Sequence, residues 1–481
     1  MDELHFKSAV ELAGLIRRKK IGCLELLDHF LKRVEAYNPR LNAIIWMDRD
    51  KARKRAKAAD AALRKGNRFG PLHGVPMTIK ESYNVAGSPT TWGLPELKHN
   101  VTETTAVSAQ RMIDAGVTLF GKSNVPVMLA DWQSFNAVYG TTNNPWDLSR
   151  APGGSSGGSA AALAAGLTGI EAGSDIGSSI RNPAHYCGVF GHKPTYDLVT
   201  YAGHAMPGVV ASPDISVVGP LARSAADLEV ALDIMAGPDP ADGGATRAAL
   251  PKCEKTSLKQ FRIAVKLSDP NSEVDHDYAE KLQGFVEALA KAGAKVRHAE
   301  PAIDTPRLHD VYVRLLRAAT SSRTSDAEIA AWKKAIADGA KEPYLQQMVA
   351  GVTMGHREWL KLNNERHRMR LAFNAFFEDY DVLICPVAAS AAQPHDQEGE
   401  RWRRKITINN KRVPTTDQLF WAGYSGLVYL PSTVGPIGLT GSGLPVGYQA
   451  IAAQGKDRTS LAFARLVERE LGGFVPPPGY A

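Results

Sequence analysis

The chain has 481 residues, of which 44% are hydrophobic and 22% charged. That is enough apolar material for a large buried core, held in one big α/β domain or in two to three ordinary ones. With 43 glycines and 29 prolines, these figures exclude a disordered chain, a collagen-like repeat and a charged low-complexity sequence. The net charge of +7 permits weak attraction to anionic surfaces but gives no argument for nucleic-acid binding.

Four cysteines (Cys23, Cys187, Cys253 and Cys385) are scattered without CxxC or His/Cys spacing. A disulfide framework and a structural zinc site are therefore not expected. The segment Met1-Asp2-Glu3-Leu4-His5-Phe6 has no basic stretch leading into an apolar one, and no run of 18 apolar residues occurs. The expectation is a cytoplasmic protein with no signal peptide and no membrane span.

The first 65 residues read as helices. Ser8-Ala9-Val10-Glu11 has capping-box form, with Val10, Ala13 and Ile16 following at helical spacing. A second helix is predicted from Leu24 to Tyr37, carrying Leu27, Phe30, Leu31 and Val34, with Pro39 beyond its end. The basic segment from Lys51 to Lys65 suggests RNA at first sight. Its stripe of Ala52, Ala56, Ala59 and Leu63 instead fits a helix with one solvated face.

From Pro71 to Pro220 glycine, serine and proline separate short apolar runs. Further on, Arg262 to Lys266 reads as a strand, Asp277 to Lys291 as a helix and Ala294-Lys295-Val296 as a second strand, which completes a βαβ-like unit. A helix from Arg357 to Phe377 and a buried strand from Asp381 to Pro386 follow. Alternating strands and helices predict an α/β fold. With no internal repeat and no clear linker, a single domain over residues 1–481 is expected, with N-terminal helices over 1–65 and a core over 71–221.

Two familiar patterns fail on context. Gly116 to Ser123 fits the phosphate-loop pattern, which needs a glycine-rich loop between a strand and a helix. Here Val107 to Ala115 reads as a helix and Val117-Thr118-Leu119-Phe120 as a strand, so the order is helix, glycine, strand. Gly153-Gly154-Ser155-Ser156-Gly157 fits the nucleophile elbow of α/β-hydrolases, which needs a strand directly before it. The residues from Asn144 to Pro152 are mostly turn-formers, so a Ser–His–Asp esterase is only a runner-up.

Three other segments carry more. Ala151 to Ser159 is a glycine–serine stretch that runs into the charge-free alanine segment Ala160 to Gly166. A flexible linker seldom enters a buried helix, whereas glycines allow close backbone approach and serines place hydroxyls at a helix N-terminus. Downstream lies Gly173-Ser174-Asp175-Ile176-Gly177-Ser178-Ser179-Ile180-Arg181-Asn182-Pro183. Upstream lies Gly74-Val75-Pro76-Met77-Thr78-Ile79-Lys80-Glu81. Together they resemble the amidase signature family, whose Ser–cis-Ser–Lys triad hydrolyses amides. The resemblance is dense from Leu72 to Leu221 and returns at Gly443-Leu444-Pro445-Val446-Gly447.

The resemblance implies a large mixed β-sheet covered by helices on both faces and places the catalytic lysine at Lys80, the cis-serine at Ser155 and the nucleophile at Ser179. It implies an oxyanion hole of backbone N–H groups from Ile176, Gly177, Ser178 and Ser179, with no cofactor and no metal. Two departures stand out. Ser178 replaces the usual glycine, where a positive φ would be strained. His192 replaces an aliphatic residue, with no consequence derivable from sequence.

The residue types suit the chemistry. A serine hydroxyl needs a base, and lysine serves as one only where burial disfavours its charged form. Lys80 follows Met77-Thr78-Ile79, in keeping with a desolvated site. Without the family resemblance it would pass for a surface lysine.

The family spans amidases, arylamidases, fatty acid amide hydrolases and the A subunit of glutaminyl/glutamyl-tRNA amidotransferase. That subunit is the main alternative, although Thr200 to Gly208 lacks its serine-rich stretch. The favoured reading is an amidase, monomeric or homodimeric, acting on a neutral apolar or aryl amide, anilide or carbamate, and on esters. Met128, Leu129 and Trp132, with Met206, Phe420, Trp421 and Tyr424, are candidates for its pocket, core packing being the alternative. The basic stretch from Arg401 to Arg412 reads as a solvated loop or lid, not an acid-substrate site.

Overall fold

The computed structural model describes residues 3–242 and 249–480. Met1 and Asp2 of the segment read for a targeting signal lie outside them. Ser8 caps the helix Ala9–Arg17 as expected: its hydroxyl accepts the Glu11 N–H at 3.2 Å, and the Glu11 carboxylate accepts the Ser8 N–H at 2.8 Å. The next two N–H groups, of Ala9 and Val10, are taken by the distant Asp227 carboxylate at 2.8 and 2.9 Å. The second helix, Cys23–Leu41, runs past its expected end and contains Pro39. A proline in the last turn forfeits a single helical bond, and left-handed Asn42 closes the helix by donating its N–H to the Asn38 carbonyl at 2.7 Å. The basic helix Arg49–Arg64 buries Ala52, Ala56 and Ala59, the predicted stripe, and leaves its charges outward.

A mixed eight-stranded sheet forms the centre, flanked by helices, as expected. Its order is Lys295–His298, Arg262–Val265, Val382–Pro386, Pro445–Ile451, Ser432–Leu439, Phe190–Lys193, Val217–Ala222 and Glu171–Asp175. The first three strands are parallel and all later pairings antiparallel. The predicted βαβ unit is present, with the helix His276–Lys291 between two parallel strands. A three-stranded sheet, Ile44–Met47, Thr118–Ser123 and Pro76–Lys80, lies alongside, joined to the edge of the large sheet by a parallel bridge between Met77 and Ile170. That bridge brings the C-terminal ends of Pro76–Lys80 and Glu171–Asp175 together, which positions the site.

The phosphate-loop pattern resolves as anticipated: the helix Val107–Asp114, a left-handed Gly116 (φ +106°), then the strand Thr118–Ser123. Lys122 is buried, donating to the Glu81 and Pro89 carbonyls and to the Thr90 hydroxyl at 3.0, 2.6 and 2.8 Å, so its ammonium is committed to the protein itself. No strand precedes Gly153, and the helix that follows, Gly157–Ala164, is buried along its whole length. Sequence reading placed nothing between Val296 and Arg357. There the chain forms the helices Thr305–Ala319, Asp326–Ala337 and Pro343–Val352, before the long helix His356–Asp379. Among the described residues no helix is long and apolar enough to cross a membrane.

Candidate active site

Lys80 is the last residue of its strand and is fully buried. Its Nζ donates to Ser155 Oγ at 2.7 Å and to Ser174 Oγ at 2.9 Å. Among the described residues it forms no ion pair. Burial drives its amine well below the ordinary lysine range; Asp175 opposes this and the positive charge of Arg323 adds to it. A neutral amine in this place accepts a proton along the same line to Ser155.

The glycine–serine stretch reaches the site because its glycines let backbones touch. A Cβ on Gly154 would run into the Asp131 carbonyl oxygen, and one on Gly158 into the Asn124 N–H. The Gly154–Ser155 peptide is cis. Ser156 N–H donates to the Ser179 carbonyl at 3.1 Å, tying this stretch to the second serine cluster.

The second cluster turns around one carboxylate. Asp175 accepts from the Ser178, Ile180 and Arg181 N–H groups at 2.9, 3.1 and 3.3 Å, and from two nitrogens of the Arg181 guanidinium at 3.0 and 2.8 Å. Burial alone pushes this carboxyl up; Arg181, Lys193 and the Ile180 N–H outweigh it and hold it below the usual range. Arg181 spends its remaining donors on the Ala422 carbonyl, Ser425 Oγ and Gln449 Oε1 at 3.0, 2.9 and 2.8 Å. A buried ion pair needs such full satisfaction to offset its desolvation.

This geometry corrects the expected oxyanion hole. The Tyr312 hydroxyl donates to the Ile176 carbonyl at 2.9 Å and Trp132 Nε1 to the Gly177 carbonyl at 2.7 Å, which fixes the two peptide planes. The Ser178 N–H, at the other end of the second plane, is consumed by Asp175. The N–H groups of Ile176, Gly177 and Ser179 have no acceptor among the described residues, so three candidates remain, not four. Ser178 has φ +72°, the left-handed conformation anticipated as strained, and its buried hydroxyl has no partner among the described residues.

Ser155, Ser174, Ile176, Gly177 and Ser179 line a cavity of about 280 Å³. Met128, Leu129 and Trp132 line it too. The other pocket candidates do not: Phe420, Trp421 and Tyr424 are fully buried in the core, and Met206 packs against the small cluster of Trp92, Val125 and Leu129. The stretch from Arg401 to Arg412, read as a solvated loop or lid, is not a plain solvated loop. It forms a turn, Arg401–Arg403, and a hairpin of Lys405–Ile408 with Lys411–Pro414, and the turn lays Arg401 and Trp402 on the cavity.

Sequence reading missed Ser174, the Asp175–Arg181 pair and the cavity residues from Leu316 to Met348. The first three sit inside a segment already singled out; the helical residues gave no local signal. His192 now has a consequence: its ring bridges Thr433 Oγ1 at 2.9 Å and Asp457 Oδ1 at 3.2 Å, a buried polar link an aliphatic residue cannot make. Among the described residues no group of three or more His, Cys, Asp or Glu side chains is placed to hold a metal ion.

The family profile described as Amidase matches residues 25–461. An acylamidase of Rhodococcus erythropolis is 32% identical, over 96% of this chain and 94% of its own length. The A subunit of the glutamyl-tRNA(Gln) amidotransferase from Gloeothece citriformis is 30% identical, over 92% and 93%. A solved bacterial aryl acylamidase shares the fold at TM-score 0.82 and 23% identity, over 98% of this chain and 97% of that one. These define the protein as a hydrolase of carbon–nitrogen bonds other than peptide bonds. The chain belongs to the amidase signature family.

Proposed function

We propose that the enzyme hydrolyses an apolar or aryl amide, anilide or carbamate, and matched esters, through an acyl-enzyme on Ser179. The observation that carries this reading is the desolvated Lys80–Ser155 hydrogen bond beside a cavity that Ser155 and Ser179 share. Neutral Lys80 takes the Ser155 proton as Ser155 takes that of Ser179, and Ser179 Oγ bonds to the substrate carbonyl carbon. The N–H groups of Ile176, Gly177 and Ser179 stabilise the oxyanion that forms. The proton returns through Ser155 to the leaving nitrogen as the C–N bond breaks. Water then attacks the ester under the same base, giving the acid and free Ser179.

The apolar lining by Met128, Leu129 and Trp132 and the acylamidase relative support an aryl or apolar acyl amide. One hydrophobic cluster that includes both Leu4 and Tyr480 supports a single domain. Free cysteines, three of them buried, suit a reducing cytoplasm, with the chain acting as a monomer or homodimer. The amidotransferase relative favours a second reading, a glutaminase component of a larger enzyme. Glutamine hydrolysis that rises on adding a partner protein would select it.

An activated carbamate or a sulfonyl fluoride should leave its carbamoyl or sulfonyl group on Ser179. Peptide mapping by mass spectrometry checks this, and label on Ser155 instead would overturn the assignment.

A further inference from the structure

Arg317, Arg323 and Arg401 line the same cavity as Ser155 and Ser179. Among the described residues none of the three forms an ion pair. Their neighbours do: Arg314 pairs with Glu358, Arg366 with Asp214 at 2.8 Å and Arg404 with Asp131 at 2.6 Å. Arg317 is held by the Tyr344 hydroxyl and sits 5.1 Å over that ring, while Arg323 sits 4.8 Å over Trp92. Arg401 donates to the Ala130 carbonyl at 2.5 Å. The Nε atoms of Arg317 and Arg401 are buried without a partner.

Among the described residues no carboxylate on this cavity forms an ion pair with any of the three. Asp131 pairs with Arg404 and gives Arg401 only a longer-range counter-charge; Glu328 caps its own helix through the Ser325 N–H and hydroxyl at 2.8 and 2.7 Å; Glu400 is exposed. Burial, and then the charge of Arg401, push Arg317 down to about 9, so the two cations burden one another. Part-buried guanidinium groups gathered on one cavity, those of Arg317 and Arg401 with a spare donor, are what a carboxylate meets well, because the planar fork matches its two oxygens. Trp332, Met348 and Trp402 add apolar surface to the same cavity.

Resting on the amide-hydrolase reading of this cavity, we propose that the substrate carries a carboxylate, held by Arg317, Arg323 and Arg401. An apolar or aryl segment separates that carboxylate from the scissile amide. This revises the neutral substrate expected when Arg401 was read as part of a solvated loop or lid and not as an acid-substrate site.

Binding tests the subsite apart from catalysis. Calorimetry should show 4-phenylbutyrate binding about tenfold to a hundredfold more tightly than 4-phenylbutyramide, the worth of a charge-assisted hydrogen bond. Arg317→Gln, Arg323→Gln and Arg401→Gln should each shrink that ratio, as should added salt. Three variants guard against one that fails to fold. In the kinetic arm, kcat/KM for the mono-anilide of adipic acid should exceed that for hexananilide, and Arg323→Glu should bring the two together or reverse them. Equal binding of acid and amide, or a ratio that no arginine variant changes, overturns the carboxylate subsite. Acid preference in binding with no anilide cleaved leaves the subsite standing and overturns the function instead; anilide cleavage without acid preference does the reverse.

Discussion

Between Pro76 and Arg181 the chain reaches the cavity through strand ends and close backbone contacts; between Thr305 and Arg404 it does so through long side chains from helices and a turn. In the first region Lys80, Asp175 and Arg181 are fully buried, and the Asp175 carboxylate accepts five hydrogen bonds from Ser178, Ile180 and Arg181. In the second, Arg317, Arg323 and Arg401 keep part of their surface exposed and, among the described residues, form no ion pair. The first region has its electrostatics completed by the protein; the second leaves them for a ligand to complete. Preorganised groups suit a reaction common to many amides, while incomplete ones suit selection among them.

The largest effect that would break this contrast lies at Lys80. Lys80→Ala should harm amides more than matched phenyl esters, because only the amide needs a protonated leaving group. The amide-to-ester ratio of kcat/KM should fall by about 10²–10⁴, the usual worth of acid–base assistance. Equal losses on both substrates would remove leaving-group protonation from its role. On the proposed mechanism the active wild-type form has a neutral Lys80 amine, and burial lowers the pH at which that form appears. The rate should therefore rise with pH through a value below that of free lysine and level off above it. Arg323 pushes in the same direction, so Arg323→Gln should move that limb to higher pH; an unmoved limb would disconnect the two regions.

Next in size is Asp175→Asn. It leaves Arg181 charged, buried and without its carboxylate, a change that costs about 3–5 kcal/mol. A urea midpoint close to that of the wild type would show that Gln449, Ser425 and the Ala422 carbonyl suffice for the guanidinium. The smallest change should be a gain. Ser178→Gly relieves a left-handed serine and removes a buried hydroxyl without a partner, against the greater backbone freedom of glycine in the unfolded chain. A stabilisation of about 1 kcal/mol is expected from the same unfolding curves. A clear loss of stability would mean that the Ser178 side chain serves the turn.

The contrast also explains what could be read in advance. Ser155 and Ser179 stand in short segments whose glycines and serines are dictated by tight local geometry and so draw notice by themselves, whereas Lys80 is singled out only through the family resemblance of its segment. Local signals likewise gave the Ser8 capping box, the alanine stripe of Arg49–Arg64 and the βαβ unit at Arg262–His298, because each rests on spacing within one element or two. Pro39 misled because a helix tolerates proline where few bonds remain to be lost.

The sequence by itself determined the family, the mixed α/β class and the failure of the two false motifs, since all are written in local pattern. Only the tertiary structure decided that Ser178 N–H is spent on Asp175, that Phe420, Trp421 and Tyr424 are core, and that Arg401 meets Arg317 at one cavity. Those facts depend on which side chains converge from segments that lie apart along the chain, and no periodicity or propensity within either segment encodes the meeting.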